Sequence, residues 1–454
     1  MNSSLGSTTQ PNHTNSSNGH TTGNNESSHL QLPPELFEVI IDHLEVESSS
    51  LKVCSLVCRV FAHHCQKRLF KHISLGRPFQ SFKQDIVSKV WPTQRLYEVL
   101  SKSPNLCKLV EELEISDAGI KSFYREELSW IRKDSNLSHI LPMLNNLKEL
   151  GIQGNNMGSR LNFRAWTPEL KLAIWRKCQT ISKISLGFMR NVPLALMRFS
   201  PSLKALTFFK ILFIPDDATF SSAAEPTTHA IRAELRSLSI STTSNDEWIS
   251  LYPWLLLECG NPDLSHLVNL DLHVDFVDEE TLGGPSEAFN AVTQVVHRSS
   301  DAVRNLSLYF PEEVASPSYY DQKYFDLGSM PSLRHFSLDG CIWSESDPIT
   351  LNNVQWLLNN LAKIPQSSSL QSIDLNFTVE DCQADGTNPR LENAEWKDFI
   401  TEIDKLARSM DIFVLILILG GSASYVKSVL DECLAPLLEM AIAEVTVGSD
   451  STDG

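Results

Sequence analysis

NNLKELGIQGN, residues 145–155, is the stretch whose reading decides the fold. Leu150 and Ile152 alternate with Glu149, Gly151 and Gln153, the period-two pattern of a strand with one apolar face. The same figure, a short lead containing a leucine and then an apolar–x–apolar pair, returns in PSLKALTFF (201–209), SHLVNLDLHV (265–274) and PSLRHFSLDG (331–340). Followed along the chain it gives nine pairs: Leu113/Ile115, Leu150/Ile152, Ile184/Leu186, Leu206/Phe208, Leu238/Ile240, Leu270/Leu272, Leu306/Leu308, Phe336/Leu338 and Ile373/Leu375. Neighbouring pairs stand 22 to 37 residues apart. Helical patterns lie between them, at 169–179, 288–298, 353–363 and 394–408. Strand, helix, strand at a near-constant pitch is the mark of a solenoid with a parallel sheet, so residues 105–420 are expected to form an α/β repeat region. The alternative is an ordinary doubly wound α/β domain.

Outward from the repeats, Phe413–Leu419 is apolar on both faces, which predicts a last strand covered on each side. Residues 421–447 are expected as a helical cap, with a helix over Tyr425–Val445 that Pro436 should kink or split. Residues 448–454 read as a free tail. Residues 76–104 form a connector with a helix around Thr93–Lys102. At the other end, residues 1–29 are rich in Ser, Thr, Asn and Gly, with only Met1 and Leu5 apolar, and are expected to be a disordered tail.

Between tail and connector, residues 30–75 carry a compact three-helix pattern. Pro33-Pro34 suits a first helical turn, and Leu36, Ile40 and Leu44, with Phe37 and Ile41 beside them, mark one broad apolar face. Ser48-Ser49-Ser50 offers caps for a second helix with Leu51, Cys54, Val57 and Cys58, and a third segment holds Val60, Phe61, Leu69 and Phe70. So small a unit buries too little surface to stand alone, so it is expected to complete its apolar surface on a partner.

The order LPPEL (32–36), IIDHL (40–44), CSLVCR (54–59) and Phe61 resembles an F-box, in the variant abundant in fungal multi-copy F-box protein families. One position departs: Phe61 stands where many F-boxes carry Trp. The four repeat units quoted above resemble irregular leucine-rich repeats, with a longer pitch and mostly without the repeat asparagine. The resemblance implies the substrate-receptor subunit of a Skp–cullin–F-box ubiquitin ligase, for ubiquitin-dependent protein degradation. It implies docking of the F-box on the Skp adaptor, through it on a cullin ligase, and binding of a protein substrate by the repeats. Carried over residue by residue, adaptor binding falls to Leu32, Pro33, Leu36, Ile40, Val57, Cys58 and Phe61. The chemistry of ubiquitin transfer would belong to other subunits, so no catalytic residue is expected here.

The remaining composition agrees with an interaction protein. A net charge of −17 argues against a nucleic-acid backbone or an anionic membrane surface as partner. Nine scattered cysteines and no secretory signal point to reduced thiols in the cytoplasm or nucleus. No phosphate-binding loop, nucleophile elbow or dinucleotide fingerprint occurs, and no cofactor is expected. Cys54, Cys58, His63, His64 and Cys65 lie close in sequence but lack paired zinc-ligand spacing, and Cys54 and Cys58 fall on the apolar face with Leu51 and Val57. Two other functional classes stay open: an enzyme built on an α/β domain, and an F-box-like protein acting outside the ligase.

If the repeat leucines point inward, the residue inside each pair faces the open side of the sheet. That column reads Glu114, Gly151, Ser185, Thr207, Ser239, Asp271, Ser307, Ser337 and Asp374. Phe209, His273, Tyr309 and His335 flank it. Aromatic side chains are the usual anchors of a binding surface, so Phe209, Asp271, His273, Tyr309, His335 and Asp374 are the candidate substrate-binding residues, for a basic or neutral protein segment.

Overall fold

The computed structural model describes residues 33–44, 48–76, 92–117, 129–154, 160–198, 200–214, 233–257, 262–274, 286–309, 326–342, 353–365, 368–379, 396–408, 412–419, 423–440 and 442–448. The expected tail 1–29, the expected tail 448–454 except for Gly448, and most of the connector lie outside them. The chain divides into two compact units, residues 1–65 and 66–454.

In the first unit, helix α1 spans Pro34–His43, with Pro34 in its first turn. Helix α2 is Ser48–Cys54, and helix α3, Arg59–Lys71, begins in this unit. The second helix is shorter than the expected run through Cys58. Its end is drawn into tight turns, Leu56 N–H to the Val53 carbonyl at 3.0 Å and Val57 N–H to the Cys54 carbonyl at 3.1 Å. Val57 and Cys58 therefore leave the face that carries Leu51. Leu51 is buried while both of them are exposed, which corrects the shared apolar face read from spacing. Ile41, Leu51 and Cys65 form the buried part of this unit, with Phe37 and Phe61 edge-to-face at 5.0 Å.

The second unit is a mixed α/β structure on one 13-stranded parallel sheet. Its strands are β1 (His72–Gly76), β2 (Glu112–Ser116), β3 (Glu149–Gln153), β4 (Leu161–Asn162), β5 (Lys183–Pro193), β6 (Ala205–Ile214) and β7 (Ser237–Thr242). Then come β8 (Asn269–Val274), β9 (Asn305–Tyr309), β10 (His335–Ile342), β11 (Ser372–Val379), β12 (Phe413–Leu419) and β13 (Ala443–Gly448). Each strand pairs with its neighbours in sequence, from β1 to β13 without reversal; only β4 stands aside, pairing with β5. A doubly wound sheet would reverse its order at a switch point, and none occurs here.

All nine apolar pairs fall in one register. Leu113 pairs with Leu150, Leu150 with Ile184, and so on through Leu206, Leu238, Leu270, Leu306, Phe336 and Ile373. Each of these residues is at most 1% exposed. They share a single core with the inward residues of the intervening helices, such as Leu170 and Ile174 of the helix Pro168–Cys178 and Phe399 and Ile403 of the helix Trp396–Ala407. Burying one such leucine stabilises by about 2 kcal/mol, and the ladder repeats that term in every strand. The opposite face of the sheet is polar and partly exposed.

Three differences from expectation concern the ends of the sheet. Ile73 and Leu75 add β1 ahead of residue 105, so the sheet starts inside the 30–75 stretch. The expected helix Tyr425–Val445 ends at Glu439 despite tolerating Pro436 within it, and the alternating Glu444-Val445-Thr446-Val447 forms β13 instead. Among the described residues, strand β12 is fully buried on one face only. Val414 and Ile416 are fully buried, whereas Phe413 is 42% exposed and Leu415 and Leu417 are half-buried on the polar side.

Candidate functional site

Two surfaces carry the sequence-derived site residues. On the helical unit, Leu36 is 44% exposed, Ile40 41% and Val57 68%, with Val53 and Leu56 more than half exposed beside them in sequence. Pro33 and Cys58 are exposed, and Phe61 is half-buried against Phe37. Leu32 lies outside the described residues. The apolar face of α1 is thus split: Ile41 turns inward and Leu36, Val39 and Ile40 face solvent. So many large apolar side chains exposed in a small unit make it a candidate contact surface.

The second surface is the polar face of the sheet. Parallel register sets its residues in rows across the strands. One row runs Thr207, Ser239, Asp271, Ser307, Ser337, Asp374 and Leu415. The next runs Phe209, Ser241, His273, Tyr309, Asp339, Asn376 and Leu417. Asp271, His335 and Asp374 line one open depression of about 150 Å³, floored between β8 and β11 and walled by Asn269, Asn305 and the serines between the two carboxylates. His273 and Tyr309 stack face to face at its margin, ring centroids 3.6 Å apart and 8° from parallel. Phe209 sits two strands from His273 and packs edge-on to Phe188 at 4.8 Å. Five of the six residues therefore gather on β8–β11, and Phe209 forms a separate aromatic pair.

The electrostatics differ along this face. On β1–β5 the carboxylates are answered: Glu112 by Lys71 at 3.9 Å and His72 at 3.2 Å, Glu149 by Lys183 at 2.9 Å. On β8–β11 they are not. Ser239 Oγ donates to Asp271 Oδ2 at 2.8 Å, Asn376 donates to Asp339, and among the described residues neither Asp271 nor Asp374 has a cationic partner. Strands β8 to β11 contain no Lys or Arg, and Arg304 and Arg334 precede β9 and β10 at their N-terminal ends. Burial pushes the Asp339 carboxyl above its ordinary value, against the hydrogen bond from Asn376, and Asp271 adds to the rise. Burial holds the His273 imidazole below its ordinary value, Asp271 opposing and Lys210 assisting, which favours the neutral ring.

Sequence reasoning missed a cluster beside Phe209. Phe188 and Lys210 lie opposite each other on β5 and β6 with φ of 50° and 55°, and Asn191 has φ 56° where the β5–β6 register shifts. Side chains seldom adopt this left-handed conformation, and here it re-aims two strands so that Met189 and Ile211 return to the core. Gly154 fits against this bend; a Cβ there would collide with the Phe188 carbonyl oxygen. The Lys210 ammonium lies 5.8 Å from the Phe188 ring centre and 5.5 Å from that of Phe209. Nearby, Glu247 is wholly buried, paired with Arg160 and accepting the Thr243 N–H at 2.8 Å. Burial raises its carboxyl above the ordinary value, against those two partners and Lys210. None of these residues belongs to a sequence motif, and none of the three left-handed positions is a glycine.

Among the described residues no group of three or more His, Cys, Asp or Glu could hold a metal ion, and no helix is long and apolar enough to cross a membrane. Comparison with protein-family models, with curated proteins and with solved structures returned no match.

Proposed function

We propose that this chain is the substrate-receptor subunit of a Skp–cullin–F-box type ubiquitin ligase. Its residues 30–75 dock on the Skp adaptor as an F-box, and its leucine-rich-repeat-like region binds the protein to be modified. The observation that carries the reading is the solvent exposure of Leu36, Ile40 and Val57. These are three of the residues that the F-box resemblance assigns to the adaptor, and they are turned outward although apolar. A free unit would lose nothing by placing polar residues there, whereas an adaptor would bury them. The unreversed strand order and the single register of nine apolar pairs support the repeat reading of the second unit. Activity itself needs no catalytic side chain from this chain.

The test is co-precipitation of the full chain with the Skp adaptor. Because the three side chains are exposed, Ile40→Asp and Val57→Asp leave the fold intact, and each is expected to abolish capture by placing an unpaired charge in an apolar contact. Capture that survives both substitutions refutes the adaptor assignment. Capture of the adaptor without recruitment of the cullin would place the protein outside the ligase.

A further inference from the structure

The polar face of the sheet changes character at β11/β12, and the change has a use. Asp374 of β11 pairs with Leu415 of β12, Asn376 with Leu417 and Ser372 with Phe413. Among the described residues, an acid-lined depression without a cation therefore adjoins a partly exposed apolar strip in which Phe413 is 42% exposed. Two needs thus meet on one surface: among the described residues, two carboxylates lack a cation and a partly exposed apolar strip lacks a full cover.

We propose that this face docks an extended partner segment that carries an arginine and, about four residues away, a large apolar side chain; this rests on reading the open face as the substrate-binding surface. Strands lie about 4.8 Å apart, so the middle of the depression is about 12 Å from β12, which an extended chain covers in about four residues at about 3.3 Å each. Arginine fits better than lysine. Its planar guanidinium can reach Asp271 or Asp374 by paired hydrogen bonds. The apolar side chain covers Phe413 and Leu415. A second copy of this chain is a poor occupant, because at a net charge of −17 it would bring mainly like charge to the site.

The experiment uses the full chain and fluorescein-labelled peptides of about eight residues in a serine–threonine background, with Arg and Leu four apart, read by fluorescence anisotropy. The expected result is saturable binding that weakens about tenfold when Arg becomes Gln or Leu becomes Ser, and that falls with added salt. Asp271→Asn with Asp374→Asn should reproduce the first loss and flatten the salt dependence; Phe413→Ser should reproduce the second. Binding no stronger than that of a Gln/Ser control peptide overturns the proposal, as does equal binding by an acidic peptide, or wild-type binding by these variants. Adaptor capture by the same variants separates the two readings: peptide binding without adaptor binding sinks the ligase reading and leaves this one standing, and the reverse result does the opposite.

Discussion

Leu270→Ala and Asp271→Ala change neighbouring residues of β8 and should behave as if they belonged to different proteins. Leu270 is 1% exposed and sits in the ladder between Leu238 and Leu306, so truncation removes three carbons from the core and leaves a cavity that the paired strands cannot close. Substitutions of this kind cost about 3 kcal/mol. Asp271 is exposed and loses only its hydrogen bond with Ser239, a change of about 1 kcal/mol or less. Urea unfolding followed by tryptophan fluorescence reports both, because Trp248 and Trp254 are buried in the same core. With a slope of about 3 kcal/mol per molar urea, the Leu270 variant should unfold about 1 M earlier and the Asp271 variant within about 0.3 M of the parent. Equal shifts would show that the two side chains do not lie on opposite faces, and the row assignments of the candidate site would fall with that.

The His273 imidazole should titrate below its ordinary value of 6.5 when followed by NMR, because burial disfavours its charged form. The unfolded chain then takes up a proton that folded His273 refuses. Its contribution to stability is therefore present above pH 6.5 and is lost as the pH falls from there through the folded value. Tyr309→Ala should uncover the ring and move the midpoint back toward 6.5; an unchanged midpoint contradicts the stacking account. Native alkylation should label the exposed Cys58 well before Cys178, whose thiol burial pushes up to about 12; early labelling of Cys178 would contradict the core placement of the helix Pro168–Cys178.

The middle of the fold was legible because one physical constraint repeats there. Every strand from β2 to β11 on the main path needs two inward apolar residues one position apart, so Leu-x-Leu recurs whatever the intervening helices do. The ends were harder. Ile73 and Leu75 show the same alternation, but they are continuous with a helix whose own pattern claims them. Val445 was hidden because the expected helix ended on it, and Val447 because it fell in the expected helical cap. β12 looked doubly covered because apolar residues on both faces suggest burial on both, whereas its outer face is left partly open. That Asp271, His335 and Asp374 share the open face of the sheet was legible from alternation alone. The bends at Phe188, Asn191 and Lys210 were not, because residues with no special backbone preference are held there by the surrounding sheet.

The central claim, adaptor docking through residues 30–75, is tested most directly by isothermal titration of purified Skp adaptor into the full chain. The account predicts a saturable 1:1 complex with a negative heat-capacity change, the sign of apolar burial by Leu36, Ile40 and Val57, and its loss in the Ile40→Asp chain. Absence of binding by the folded parent chain, or an isotherm unchanged by Ile40→Asp, would contradict it.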